Sequence, residues 1–230
     1  MRALPMLVAV CLAGPAHAEP QTPWGPHAGD HIFGINPYLE VTTDGWITPS
    51  LFGFLGPAPG WDFIAGGGAY LDTGSGLDGG FVEGLVRWFP RPEVALVGHV
   101  GWDAEAGAWF APEVHLAVPE EGSLRLFAEV GVPILFSDGE VFGGANVLVA
   151  PEWAPGWWSL FLELHAEVWL ADEEPVSLAM APGAAVCFGP DRWHMITATV
   201  FVPATGPERA VAFTLGYYVD FYLPGADHGP

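Results

Sequence analysis

The sequence lacks lysine altogether, and its six basic residues are all Arg. Against them stand 27 Asp and Glu residues, which give a net charge of −21. Nucleic acid phosphates and anionic lipid headgroups are bound through clustered basic side chains. The shortage of positive charge therefore argues against nucleic acid as a partner and against docking to a membrane through a basic patch.

Cysteine is almost absent as well, with two residues in 230. Cys11 lies in a short apolar run that follows Arg2 and ends at Ala16-His17-Ala18, a pattern typical of a secretory signal peptide over residues 1–18. Its cleavage leaves Cys187 alone, so the mature chain can form no intramolecular disulfide. We expect the protein to be exported and Cys187 to be a buried packing residue.

Long hydrophobic runs are missing too. After residue 18 no stretch of about 18 apolar residues could form a transmembrane helix. Yet 51% of the chain is hydrophobic and the mean hydropathy is +0.34, which is high for a soluble domain. A membrane β-barrel reconciles the two observations, because its apolar residues occupy every second position and face lipid.

From residue 31 the chain alternates between strand-like segments and turn residues. Twelve segments have the length of a tilted membrane strand, about ten residues or more. They span residues 31–42, 46–55, 61–72, 79–89, 93–102, 108–118, 123–135, 140–151, 157–170, 176–188, 192–203 and 208–223. We predict an all-β fold, a single antiparallel transmembrane β-barrel of about 12 strands (range about 10–14), over residues 31–223. Residues 19–30 are expected to form a flexible N-terminal arm and residues 224–230 a C-terminal tail.

The distribution of charge and of tryptophan supports this prediction. Carboxylates fall on one face of the clearest segments, 110–118, 123–132 and 157–170, as expected when the other face contacts lipid. Tryptophans gather where segments begin or end, which is typical of the two interfaces of a membrane. We expect these rings to mark the two rims of the apolar band: Trp46, Trp61, Trp88, Trp102, Trp109, Trp153, Trp157, Trp158, Trp169 and Trp193.

The turns are of two alternating kinds. Counting from the N-terminus, the odd-numbered turns carry acidic residues, glycine or both, as in Asp44-Gly45 and 103–107, whereas the even-numbered turns are mostly built on proline. Two kinds of turn indicate the two ends of one barrel, and an even strand number returns both termini to the periplasmic side. The acidic turns would then be extracellular.

With its signal peptide, two-residue repeat, aromatic rims and alternating last segment at 208–223, the chain resembles the bacterial outer-membrane β-barrel class. The resemblance implies location in the outer membrane of a Gram-negative cell, with membrane lipid as a partner. It implies architecture more than activity.

Polar side chains on the inward face would line the lumen of such a barrel. We expect the following residues to be lumen-lining: Glu40, Asp62, Glu83, Arg87, Glu113, His115, Arg125, Glu129, Glu163, His165, Glu167 and Asp220. Acids outnumber arginines in this set, so the predicted lumen is net acidic. The spacing of Glu83, Arg87, Arg125 and Glu129 allows either a charge ladder that filters solutes or ion pairs that lock the interior.

Glu163, His165 and Glu167 are candidate metal ligands on one face of a strand, since carboxylate and imidazole bind divalent ions. Glu113 and His115 are placed in the same way. Residues i and i+2 of a strand lie about 7 Å apart, however, so an ion would need a ligand from a neighbouring strand. We therefore predict a solvated or ion-paired lumen, with no metal and no cofactor.

Catalysis is not expected either. The few serines do not occur in a nucleophile-elbow motif, and His99 and His194, each single on its segment, are expected to be structural. We favour a passive channel or small-solute pore for ions or other small solutes, and its acidic lumen predicts a preference for cations. A closed structural or adhesive outer-membrane barrel, an outer-membrane lipid-modifying enzyme and a soluble periplasmic β-protein are the alternatives, because side chains alone can fill a barrel of this size.

Overall fold

The computed structural model describes residues 32–58, 60–91, 93–118, 123–137, 139–170, 176–188, 194–206 and 210–222. The expected signal peptide at 1–18, arm at 19–30 and tail at 224–230 lie outside these residues, as does Trp193. Within the described ranges the chain forms strands and turns, and no helix there is long and apolar enough to cross a membrane.

The described residues form thirteen β-strands. They are β1 (Ile32–Thr42), β2 (Trp46–Ala58), β3 (Trp61–Asp72), β4 (Gly76–Arg91), β5 (Val94–Asp103), β6 (Gly107–Val118), β7 (Leu124–Gly131), β8 (Ile134–Ser137), β9 (Glu140–Trp153), β10 (Trp158–Trp169), β11 (Val176–Phe188), β12 (His194–Thr205) and β13 (Ala212–Tyr222). The predicted segments 61–72 and 176–188 coincide with β3 and β11, and the other bounds differ by a few residues. The predicted all-β fold is confirmed.

Pairing of the first strand with the last closes the sheet. All pairings are antiparallel, and β1 pairs with β13 from Ile32 opposite Tyr222 to Thr42 opposite Ala212. Closure removes the unpaired edges that an open sheet would expose to lipid. Since β7 and β8 both lie between β6 and β9, the thirteen strands occupy twelve positions in one barrel, as predicted.

The interruption between β7 and β8 contains Pro133 and lies opposite Pro112 of β6. The sequence predicts one strand over 123–135, but Val132 and Pro133 belong to neither β7 nor β8. The carbonyl of Pro112 on β6 accepts a hydrogen bond from Val132 N at 3.1 Å, yet a proline nitrogen can donate none in return. Because Pro112 and Pro133 have no backbone N–H group to donate, the hydrogen-bond ladder between the strands breaks here.

Side chains alternate between a buried and an exposed face along the strands. On β10, Leu160 and Leu164 are 48% and 45% exposed, whereas Glu163 is 6% and His165 is 3% exposed. The buried face of a closed barrel is its interior, so the outside of this molecule is apolar and the buried charged side chains lie inside. This is the distribution of a barrel surrounded by lipid.

Tryptophan is divided between the outside and the interior. The clearly exposed rings are Trp61, Trp88, Trp102, Trp153 and Trp157. Trp109 and Trp169 are only 4% exposed and pack with Leu135 inside the barrel. For these two, the prediction of a membrane rim is wrong, because a large ring near a strand end can also point inward and fill the lumen.

Candidate functional site in the barrel interior

The interior of the barrel has two unlike walls. Every buried Asp, Glu, Arg and His side chain among the described residues lies on β3–β7, β9 or β10. The inner faces of β11–β13, β1 and β2 bury Asn36, Ser50 and Thr197 among small and aromatic side chains. We call the inner face of β3–β7, β9 and β10 the charged wall and that of β11–β13, β1 and β2, whose fully buried side chains are uncharged, the neutral wall.

The residues predicted to line the lumen divide by their burial. Those buried on the charged wall are Asp62, Glu83, Arg87, Glu113, His115, Glu129, Glu163, His165 and Glu167. Glu40 and Arg125 are half-buried, and the side chain of Asp220 lies outside what the structure describes. The buried acids and histidines that are absent from the predicted set are His99, Asp103 and Glu152. The two-residue alternation of β5 places His99 and Asp103 on its inward face. The same alternation in the sequence could have identified both residues as lumenal.

A continuous chain of carboxylates and imidazoles crosses the charged wall. His99 lies between two acids, with its Nε2 3.5 Å from Glu83 Oε2 and its Nδ1 3.1 Å from Glu113 Oε1. His115 likewise lies between two acids, with its Nε2 2.8 Å from Glu113 Oε2 and 3.5 Å from Glu129 Oε2. Acid and imidazole thus alternate over β4 to β7, with every member between 1% and 8% exposed. We call these five residues the acid–imidazole chain.

The register of the sheet explains these contacts. His115 stands opposite Glu129 in the β6–β7 ladder, and Gly131 stands between Glu113 on one neighbouring strand and Asn146 on the other. A Cβ at Gly131 would meet both the Glu113 side chain and the Asn146 amide, so the glycine leaves space for them. Asn146 Nδ2 donates a hydrogen bond to Glu129 Oε1 at 2.9 Å.

The two arginines of the predicted set pair with other acids. Arg87 binds Asp62 on β3 through two hydrogen bonds, from Nε to Oδ1 at 2.7 Å and from Nη2 to Oδ2 at 2.8 Å. Arg125 Nη1 lies 4.0 Å from Glu152 Oε2 on β9. Of the two alternatives for Glu83, Arg87, Arg125 and Glu129, these contacts favour ion pairs, because the two acids belong to the acid–imidazole chain while the two arginines lie beside acids on neighbouring strands.

Glu163 and His165 form a separate pair on β10. Glu163 Oε2 lies 3.2 Å from His165 Nε2, and the His165 ring meets Phe201 edge-on at a centroid distance of 5.6 Å. Glu167 is 1% exposed on the same face. Within the described part of the chain, these three candidate metal ligands do not form a group whose ligand atoms all lie within 4.8 Å of one another.

Asp103 organises the turn that follows β5 and is not an exposed acid of the barrel mouth. It is 0% exposed, accepts a hydrogen bond from the Tyr70 hydroxyl, and accepts two at 2.8 Å from the backbone amides of Glu105 and Ala106. Partial burial raises the pKa of Glu105, and the nearby charges of Asp103 and Asp78 raise it further. This end of the barrel is therefore acidic, but its negative charge is partly buried.

Comparison with solved structures identifies the fold of this chain. No protein-family profile and no curated protein matches the sequence. The NanC porin is similar with a TM-score of 0.65 at 8% identity, covering 80% of this chain and 98% of that one. The KdgM porin gives 0.60 at 10% identity, with 82% and 99% covered. An outer-membrane channel from Pseudomonas putida F1 gives 0.53 at 12% identity, with 83% and 95% covered.

This chain has the outer-membrane β-barrel fold. The similarity spans more than three quarters of its length. At such low identity it shows the architecture of the wall, and the chemistry of the interior has to be argued from this chain's own residues.

Proposed function

We propose that this protein is a passive outer-membrane channel for ions and other small solutes, with a net acidic lumen that favours cations. The observation that carries the proposal is the composition of the charged wall, which buries eight carboxylates against one arginine and three histidines. Fixed negative charges along a lumen raise the local concentration of cations. The similar porins and channels support a transport role, and the proposal requires neither a cofactor nor a catalytic step.

Close packing beside the charged wall leaves room for a narrow passage at most. His115, Glu167 and Asp62 are each 1% exposed, so little water-accessible space lies beside them. The KdgM porin is known in complex with disordered oligogalacturonate, which is a chain of sugar acids. Carboxylates facing a tightly packed interior would repel and obstruct such a chain, and they favour small cations instead.

The proposed arrangement places the apolar outer face in the lipid of a Gram-negative outer membrane, which the chain reaches by means of its signal peptide. An even number of strand positions puts both chain ends on the periplasmic side. The turns after β1, β3 and β5 then face the outside of the cell. Glu105 lies in one of these turns, where its charge would attract cations to the mouth.

The test is conductance of the full-length protein, refolded in detergent and added to a planar lipid bilayer under a salt gradient. We expect discrete channel steps and a reversal potential of the sign that marks cation preference. The preference should weaken as salt rises, because exposed charges are screened over about 8 Å at physiological ionic strength. The same protein boiled before addition is the control.

Two outcomes would contradict the proposal. A barrel that resists unfolding in detergent but gives no channel steps would be a closed structural barrel. A reversal potential of the opposite sign would mean that Arg87 or Arg125 controls the narrowest part of the lumen.

A further inference from the structure

One group on the charged wall has the composition and geometry of a metal site. Among the described residues, Glu113, His115 and Glu129 form the one set of three buried Asp, Glu, His or Cys side chains whose ligand atoms all lie within 4.8 Å of one another. Both carboxylates direct Oε2 at the same nitrogen, His115 Nε2, at 2.8 and 3.5 Å. The neighbouring strand β7 thus supplies the third ligand that β6 lacks by itself.

Outer partners hold both carboxylates in this orientation. The second oxygen of Glu113, Oε1, lies 3.1 Å from His99 Nδ1, and that of Glu129 accepts a hydrogen bond from Asn146 Nδ2 at 2.9 Å. His99 is itself backed by Glu83, whose Oε2 lies 3.5 Å from His99 Nε2. Each acid therefore has one oxygen fixed from outside and one directed at His115, which is how outer partners orient the ligands of a metal ion.

The distances suit a small divalent ion. Ligand bonds of about 2.1 Å in a tetrahedral site place neighbouring ligand atoms about 3.4 Å apart, and the two contacts of His115 Nε2, 2.8 and 3.5 Å, lie on either side of that value. One imidazole nitrogen and two carboxylate oxygens suit zinc and related transition metals. Magnesium and calcium prefer sites made wholly of oxygen.

We propose that Glu113, His115 and Glu129 bind one zinc-type divalent ion in the barrel interior. The three ligands lie on β6 and β7. The outer partners His99 and Asn146 hold the carboxylates of Glu113 and Glu129 in place. The proposal goes beyond transport and does not depend on it, since a barrel that conducts nothing could still bind the ion.

The chain offers a matched control in the Glu163–His165 pair of β10. It has the same spacing of two residues and a similar carboxylate-to-imidazole distance, 3.2 Å. It lacks a third ligand atom within 4.8 Å of both, as judged over the described residues. Removing His165 should therefore leave metal binding unchanged, whereas removing His115 should abolish it.

The experiment is calorimetric titration of zinc chloride into the untagged, full-length protein, refolded in detergent and freed of metal by a chelator. Magnesium chloride is titrated in parallel. We expect the wild-type protein and His165→Gln to bind one equivalent of zinc that His115→Gln and Glu129→Gln do not bind. Zinc held elsewhere, for instance by other histidines of the chain, would be a background common to all four proteins.

A further variant tests the outer partner and does not touch the ligands. Asn146→Leu removes the donor to Glu129 Oε1 and should weaken zinc binding by roughly 10–100-fold. It also keeps the test available if His115→Gln fails to fold, which gel mobility of unboiled against boiled samples would reveal. Zinc binding that is absent from the wild-type protein, or that is the same in His115→Gln, Glu129→Gln and Asn146→Leu as in the wild type, would overturn the proposal.

Discussion

The charged and neutral walls fill the same barrel with different chemistry. On the charged wall, acids and imidazoles satisfy one another across strands, as His115 does with Glu113 and Glu129. On the neutral wall, small residues make room for rings: a Cβ at Gly183 on β11 would run into the Phe161 ring that reaches across from β10. One wall therefore depends on pairing acids with arginine or imidazole, and the other depends on matched volume.

This difference sets how each wall should respond to change. A buried charge that loses its partner keeps its full desolvation penalty, so the charged wall is sensitive to single substitutions and tolerant of removing both partners. Overfilling strains a packed interior whatever its polarity, so the neutral wall is sensitive to size. The following substitutions test that contrast.

The largest effect is expected at the Arg87–Asp62 pair. Arg87→Met leaves Asp62, which is 1% exposed, without its cation and should lower the free energy of unfolding by about 3–5 kcal/mol. The measurement is urea-induced unfolding in lipid vesicles, followed by tryptophan fluorescence. The double variant Arg87→Met with Asp62→Leu should recover most of the loss, and a double variant as unstable as the single one would contradict pairing as the cause.

A smaller loss is expected from added volume on the neutral wall. Gly183→Val places a side chain against the Phe161 ring and should cost about 1–3 kcal/mol of unfolding free energy. Gly98→Val on β5 is the matched control, because a Cβ there meets nothing within 4 Å. If both variants unfold at the same urea concentration, the neutral wall is not packed as described.

The smallest effect concerns selectivity and rests on the proposed channel. Glu163→Gln removes one charge from the charged wall at almost constant volume, whereas Thr197→Val makes a similar change on the neutral wall without altering charge. One unit charge acting through water at about 10 Å is worth about 0.4 kcal/mol, or roughly twofold in local ion concentration. The reversal potential should move toward zero in Glu163→Gln only. Equal shifts in both variants would mean that the two walls do not differ in their effect on ion selectivity.

Much of the architecture could be predicted from the sequence, because the strand is a local structure with a period of two. Segments 61–72 and 176–188 were identified with the bounds that β3 and β11 have. The inward face of β10, with Glu163, His165 and Glu167, follows from alternation alone. The break at Val132 and Pro133 does not, since it requires knowing that Pro112 lies across from it.

The sequence by itself determined the fold class and the approximate number of strands, and it indicated the inward face of strands such as β10, because lipid favours an apolar residue at every second position. Only the tertiary structure decided which inward groups meet. Arg87 lies beside Asp62 and not in a ladder with Glu83, and His115 finds Glu129, because the register between strands is set by the closed sheet as a whole. A metal site or an ion pair that spans strands is therefore invisible in any single segment.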